Sequence, residues 1–219
     1  MTSRTSSAAD FLLAPEVQQI LKTVFANPTQ PHSRSALAKA TQLTPDDVER
    51  TQQHLLQSGI LIQHPAEADG EAGPVSANTG FVFYAELRRI ALKSFAAAEP
   101  LRAMLRTKFK DSVLQAVLLG EDAEGTLNLL IVHGERLPEA AAMAAACQKL
   151  RGTLGRHLQV HVLSHASFEA HAARTQLAQR LASGEAMQIL APGETKAQAP
   201  SGRGGLLQAA KARLTAFRL

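Results

Sequence analysis

The chain has one cysteine, one tyrosine and no tryptophan among its 219 residues. A lone Cys147 excludes an internal disulfide framework and fits a reducing compartment. It lies in the Ala-rich stretch AAMAAACQKL, where it reads as a packed small residue rather than a nucleophile. Scarce aromatics leave little for base stacking. Phe81-Val82-Phe83-Tyr84 is the one cluster, and it reads as a hydrophobic clasp between domains. No apolar run approaches the roughly 20 residues of a membrane span, so no membrane partner is expected. Residues 1–10 (MTSRTSSAAD) lack the apolar core of a signal peptide, and a cytoplasmic location is expected.

What is present is a chain with 45% hydrophobic residues, enough to bury the core of one large domain or two small ones. Its net charge of +4 is unevenly spread. Residues 1–85 hold five Lys/Arg against eight Asp/Glu, a net of −3, and residues 86–219 hold eighteen against eleven, a net of +7. Phosphate contacts dominate the affinity of proteins for DNA. An acidic N-terminal part therefore works against duplex binding, and the later cations work for it.

The N-terminal part reads as three helices and a ribbon. In APEVQQILKTVFA (14–26), Val17, Ile20, Leu21, Val24 and Phe25 fall at helical spacing, and Asn27-Pro28 ends the run. SRSALAKAT (33–41) gives a short second helix with Leu37 and Ala38 inward. Thr44 as N-cap, Pro45 at N1 and Asp47 at N3 open a third, PDDVERTQQHLLQS, with Val48, Thr51, Leu55 and Leu56 inward. Gly59 stops it before the strand ILIQ (60–63). The run LAKATQLTPDDVERTQQHLLQSGIL resembles the second helix, turn, recognition helix and first wing strand of a winged helix-turn-helix of the MarR/ArsR type, over about residues 12–85.

That resemblance implies a third helix lying in the major groove of double-stranded DNA. Its outward residues are then Asp46, Asp47, Glu49, Arg50, Gln52, Gln53 and His54, of which Arg50, Gln52 and Gln53 read bases. Ser33, Arg34, Ser35 and Lys39 hold phosphates, and Thr44 and His54 are also candidate DNA-binding residues. The wing, HPAEADGEAGPVSAN, carries Glu67, Asp69 and Glu71 and no Lys or Arg. An acidic wing supports the alternative that the module docks a protein.

From Glu86 the stretch ELRRIALKSFAAAEPLRAMLRTKFKD is helical, with an interruption expected at Pro100. Leu87, Ile90, Ala91, Phe95, Leu101, Met104 and Leu105 form its apolar stripe. Arg88, Arg89, Lys93, Arg102, Arg106, Lys108 and Lys110 form a basic face, and Arg88 and Arg89 are candidates for the phosphate contacts the wing lacks.

Next come two apolar strands, VLQAVLL (113–119) and TLNLLIV (126–132), around the acidic turn GEDAEG. A helix (138–154), a strand HLQVHVL (157–163) packing through Leu158, Val160 and Val162, and a helical return ending near Gly184 to Leu190 follow. The layout resembles a minimal nucleotidyltransferase domain. In that family a Gly-Ser turn and an Asp-x-Asp pair bind phosphate and Mg²⁺. Here Gly120 is followed by Glu121, and Thr126 and Asn128 stand at the carboxylate positions. Where a later strand should supply an acid it offers His157, Gln159 and His161. No catalytic activity, cofactor or metal is expected. Glu121, Asp122 and Glu124 read as a solvated hairpin. Neighbours among His157, His161 and His165 would lie about 13 Å apart in an extended strand, too far to share one zinc ion.

The expected architecture is α+β. It comprises a flexible N-terminus (1–11), a winged helix-turn-helix (12–85), basic linker helices (86–111), a small mixed-sheet nucleotidyltransferase-like domain (112–191), a linker (192–205) and an amphipathic basic tail helix (206–219). The expected function is a DNA-binding transcriptional regulator, a homodimer whose degenerate second domain serves assembly or sensing. The tail helix is expected to dock on a protein surface; the alternative for the whole chain is a protein–protein adaptor.

Overall fold

The computed structural model describes residues 7–66, 72–122, 124–169 and 172–199. The acidic wing residues Glu67, Asp69 and Glu71 and the tail helix 206–219 lie outside the described residues. The chain divides into two units, Met1–Glu99 and Pro100–Leu219. Among the described residues no helix is long and apolar enough to cross a membrane.

The first unit is built on α1 (Pro15–Ala26), α2 (Arg34–Thr41) and α3 (Pro45–Gln57). Pro15 opens α1 at a position whose N–H has no helical partner. Ile20, Leu21, Val24 and Phe25 then bury one stripe of the helix. Gln18 is buried in the same stripe, its Nε2 donating to Asp10 Oδ1 (2.9 Å) and the Leu13 carbonyl (2.8 Å), so its polarity costs little. At α2 the Ser33 Oγ accepts from the Ala36 N–H at 3.2 Å. The helix ends where Gln42 turns left-handed (φ 58°) and its N–H closes on the Ala38 carbonyl. Thr44 then caps α3, accepting from the Asp47 N–H (3.2 Å) while its hydroxyl donates to Asp47 Oδ2 (2.8 Å).

Gly59, at φ +72°, turns the chain into β1 (Leu61–Gln63), which pairs antiparallel with β2 (Val75–Ala77). His32, between α1 and α2, adds a further rung: its N–H and C=O bond Val75 at 2.8 and 2.9 Å. Three helices, a tight turn and a ribbon anchored on the first connection form a winged helix-turn-helix. α4 (Tyr84–Lys93) packs on α1, with the Tyr84 ring edge-on to Phe25 at 5.5 Å. Ala91 and Phe95 close the same core. The expected clasp thus puts Tyr84 inside the first unit and leaves Val82 and Phe83 exposed.

The helical break falls at Ser94 (φ −131°, ψ −112°), not at Pro100. Pro100 sits in the first turn of α5 (Ala98–Lys108), where no intrahelical donor is needed. The stretch 86–111 is therefore shared: α4 belongs to the first unit, and α5 is tied to the second. Arg102 Nε donates to the Ile189 carbonyl (2.8 Å), and Arg106 pairs with Glu194 (2.9 Å).

In the second unit β3 (Val113–Glu121) and β4 (Leu127–His133) form a hairpin, followed by α6 (Ala140–Leu154), β5 (Leu158–Ser164), α7 (His165–Glu169), α8 (Ala172–Ala182) and β6 (Met187–Leu190). The sheet order is β5-β4-β3-β6, with β4 and β5 parallel and the other pairs antiparallel. Both faces of β4 are covered. Leu127, Leu129 and Ile131 are fully buried, while Leu130 and Val132 pack with Phe168 and Leu177 of α7 and α8. The sheet is mixed, and the architecture is α+β.

Two expectations fail here. The helical return stops at Ala182; Gly184 (φ +72°) reverses the chain, and Met187–Leu190 is an edge strand beside β3. Val162, expected to pack, is 39% exposed, because β5 forms the other edge of the sheet.

Candidate nucleic-acid interface

The helix-turn-helix brings part of the expected site together. Along α3, Asp46, Arg50, Gln53 and His54 are exposed, with Glu49 partly so, opposite the buried stripe of Val48, Thr51 and Leu55. On α2, Ser33, Ser35 and Lys39 are exposed, and the Ser33 and Ser35 hydroxyls lie 3.0 Å apart at the helix start. Arg34 Nη1 meets Glu49 Oε2 at 3.1 Å, which joins the beginning of α2 to the outer face of α3. Ser33, Arg34, Ser35, Arg50, Gln53 and His54 thus belong to one connected surface, with the Thr44 cap at its turn.

Gln52 does not belong to it. It is 3% exposed, and its Oε1 has no hydrogen-bond partner among the described residues. The spacing held the signal: 48, 51, 52 and 55 are one helical stripe, and position outweighs the polarity of the side chain. Arg88 and Arg89 stand on α4, Arg88 partly buried and Arg89 exposed, on a helix that packs against α1.

Sequence reading also missed the electrostatic state of the two arginines. Arg50 Nη2 is bound to Asp47 Oδ1 one turn earlier, and Arg34 is bound to Glu49. Both pairs are solvent-exposed, so each is worth no more than about 1 kcal/mol and opens at low cost. In the connection before α2, partial burial holds the His32 imidazole below its ordinary pKa, and its Nε2 is unpartnered among the described residues.

In the second unit the hairpin turn is organised by its own acids. Asp122 Oδ1 accepts from the N–H groups of Glu124 (3.1 Å) and Thr126 (2.8 Å). Asn128 Nδ2 reaches Asp122 Oδ2 at 3.5 Å, and His161 Nε2 lies 3.2 Å from Asn128 Oδ1. Thr126 precedes β4 rather than lying in it. Glu121 is no solvated hairpin acid: it pairs with Arg156 at 3.0 Å, both side chains at most 10% exposed. His157 turns to Arg151 (2.7 Å). Among the described residues no group of three or more His, Cys, Asp or Glu is placed to hold a metal ion.

No protein-family model matches the chain, and no curated protein does. Among solved structures the chain is similar to that of the Q18P mutant of MepR from a multidrug resistant S. aureus clinical isolate. The identity is 18% and the TM-score 0.31, with 36% of this chain and 57% of that chain covered.

Proposed function

We propose that this chain is a DNA-binding transcriptional regulator, with a second unit that is nucleotidyltransferase-like but catalytically inactive and serves assembly. One observation carries the first part. The helix-turn-helix presents Arg50, Gln53 and His54 on α3 beside the serine-rich start of α2, on one exposed surface. Arg and Gln are side chains that form paired hydrogen bonds to base edges, and a capped helix start with hydroxyls is suited to phosphate. The second part is supported by Thr126 and Asn128, neutral where metal-binding carboxylates belong, and by Glu121, whose charge is met by Arg156.

The test is retention of sheared genomic DNA by the purified protein near physiological salt, followed by sequencing. Sharp peaks sharing an inverted repeat, lost with Arg50→Ala and Gln53→Ala, are the expected result. Diffuse retention with no shared sequence overturns the regulator reading. Incubation with labelled nucleoside triphosphates and Mg²⁺ is expected to give no turnover.

A second reading is favoured by the ion pairs Arg34–Glu49 and Arg50–Asp47, which leave the surface close to neutral. A near-neutral helix face suits protein docking. Absence of any DNA enrichment, with capture of one protein lost on Arg50→Ala, would establish that adaptor instead.

A further inference from the structure

β5 is an open edge of an unusual kind. Among the described residues nothing pairs with its outer side. From Leu158 to Ser164 it carries no Lys, Arg, Asp, Glu or Pro. It runs beside β4 for seven residues without a register shift, whereas both pairings of β3 contain irregularities. The opposite edge, β6, is only four residues long. Proteins blunt exposed edges with charge, proline, bulges or short length, and β5 uses none of these.

The geometry points to a second copy of this chain on that edge, the two β5 strands pairing antiparallel about a two-fold axis through His161. This rests on the assembly role proposed above for the second unit. The Leu127 N–H donates to the His157 carbonyl at 2.9 Å. In a parallel ladder the bonded residues alternate along the strand. His157, Gln159, His161 and Leu163 therefore direct their backbone groups to β4, and Leu158, Val160, Val162 and Ser164 direct theirs to the open edge. A two-fold axis at His161 sets Val160 against Val162 of the partner subunit, and Leu158 against Ser164 of the partner subunit. Every hydrogen-bonded pair then joins two residues whose N–H and C=O groups point outward. His161 meets its own copy as the non-bonded pair, where side chains are closest.

The same register accounts for Val162. It shares a strand face with Leu158 and Val160, yet it is 39% exposed. In the paired edge each Val162 is covered by Val160 of the partner subunit, and cross-strand pairs of this kind stabilise sheets. Closed two-fold dimers are the commonest symmetric assembly, and an edge that is its own complement is a direct route to one.

The test uses full-length protein followed by light scattering through a dilution series. Wild type is expected to be dimeric. His161→Asp and His161→Lys each place like charges opposite one another and are expected to weaken the dimer by roughly tenfold or more. An equal mixture of the two variants is expected to recover dimers containing one of each, which also shows that both variants are folded. Val162→Lys, on the other strand face, is expected to weaken the dimer too. Dimers of undiminished strength in the single variants, or a mixture that recovers nothing, overturn the edge and leave the assembly role standing. A monomeric wild type overturns both.

Discussion

Substituting Glu49→Gln tests the nucleic-acid surface most directly. Glu49 Oε2 holds Arg34 Nη1 at 3.1 Å, with the two side chains 44% and 36% exposed. Removing the carboxylate costs the fold less than about 1 kcal/mol, because an exposed pair gains little and Gln is as good a helix former as Glu. It leaves Arg34 uncompensated at the start of α2, beside Ser33 and Ser35. If duplex DNA lies there, one more cation neutralises one more phosphate. The slope of log K against log salt then steepens by about 0.9, and affinity for any duplex rises on the order of five- to tenfold near 0.15 M salt. Fluorescence anisotropy of a labelled duplex of arbitrary sequence across several salt concentrations reads both quantities. Arg34→Ala should shift both the other way. If Glu49→Gln leaves slope and affinity at the wild-type values, the α2–α3 surface does not meet DNA, whatever its fold.

Three further outcomes are expected. Glu121→Gln removes the carboxylate paired with the buried Arg156 at 3.0 Å and should cost up to about 3–5 kcal/mol in denaturant unfolding, much of it recovered in the Glu121→Gln/Arg156→Met double variant; a loss below about 1 kcal/mol would show the pair to be dispensable. Burial lowers the His32 pKa below the roughly 6.5 of an unfolded histidine, so the unfolded chain takes the proton first. Stability is then lost as pH falls through about 6.5 towards the folded value, and His32→Gln should flatten that limb of the pH–stability curve. An unchanged limb would clear His32. Burial pushes the Cys147 thiol up, so alkylation at neutral pH should be slow in the native protein and rapid in denaturant; equal rates, read by mass spectrometry, would place the thiol at the surface.

The parts of this fold that were legible in the sequence are those set by neighbours along the chain. Pro15 and Asn27 bound α1, Ser33 opens α2, Thr44 with Pro45 opens α3, and Gly59 follows its end, each acting through groups one to four residues away. The residues that misled did so for two reasons. Gln52 was read by its polarity although its spacing put it in the buried stripe, and Pro100 was read as a breaker although a first turn accepts proline. Other features depend on pairing across long stretches of chain, which no local pattern encodes. The His32–Val75 rung, the Arg34–Glu49 bridge and the strand Met187–Leu190 beside β3 are of this sort. So is Val162, whose alternation predicted a packed residue and whose place at the edge of the sheet exposes it.

The turn between β3 and β4 also constrains what this unit can become. Its negative charge is already answered, Glu121 by the buried Arg156 and Asp122 by the backbone N–H groups of Glu124 and Thr126. An aspartate at 128 would stand where an amide now lies 3.5 Å from the Asp122 carboxylate. A second at 126 would crowd another anion into the same corner, with no cation added. Each step towards a metal-binding carboxylate set passes through a protein with more repulsion and nothing gained until a metal arrives. Substitution leaves such a corner only uphill, because four hydrogen bonds and one salt bridge already satisfy it.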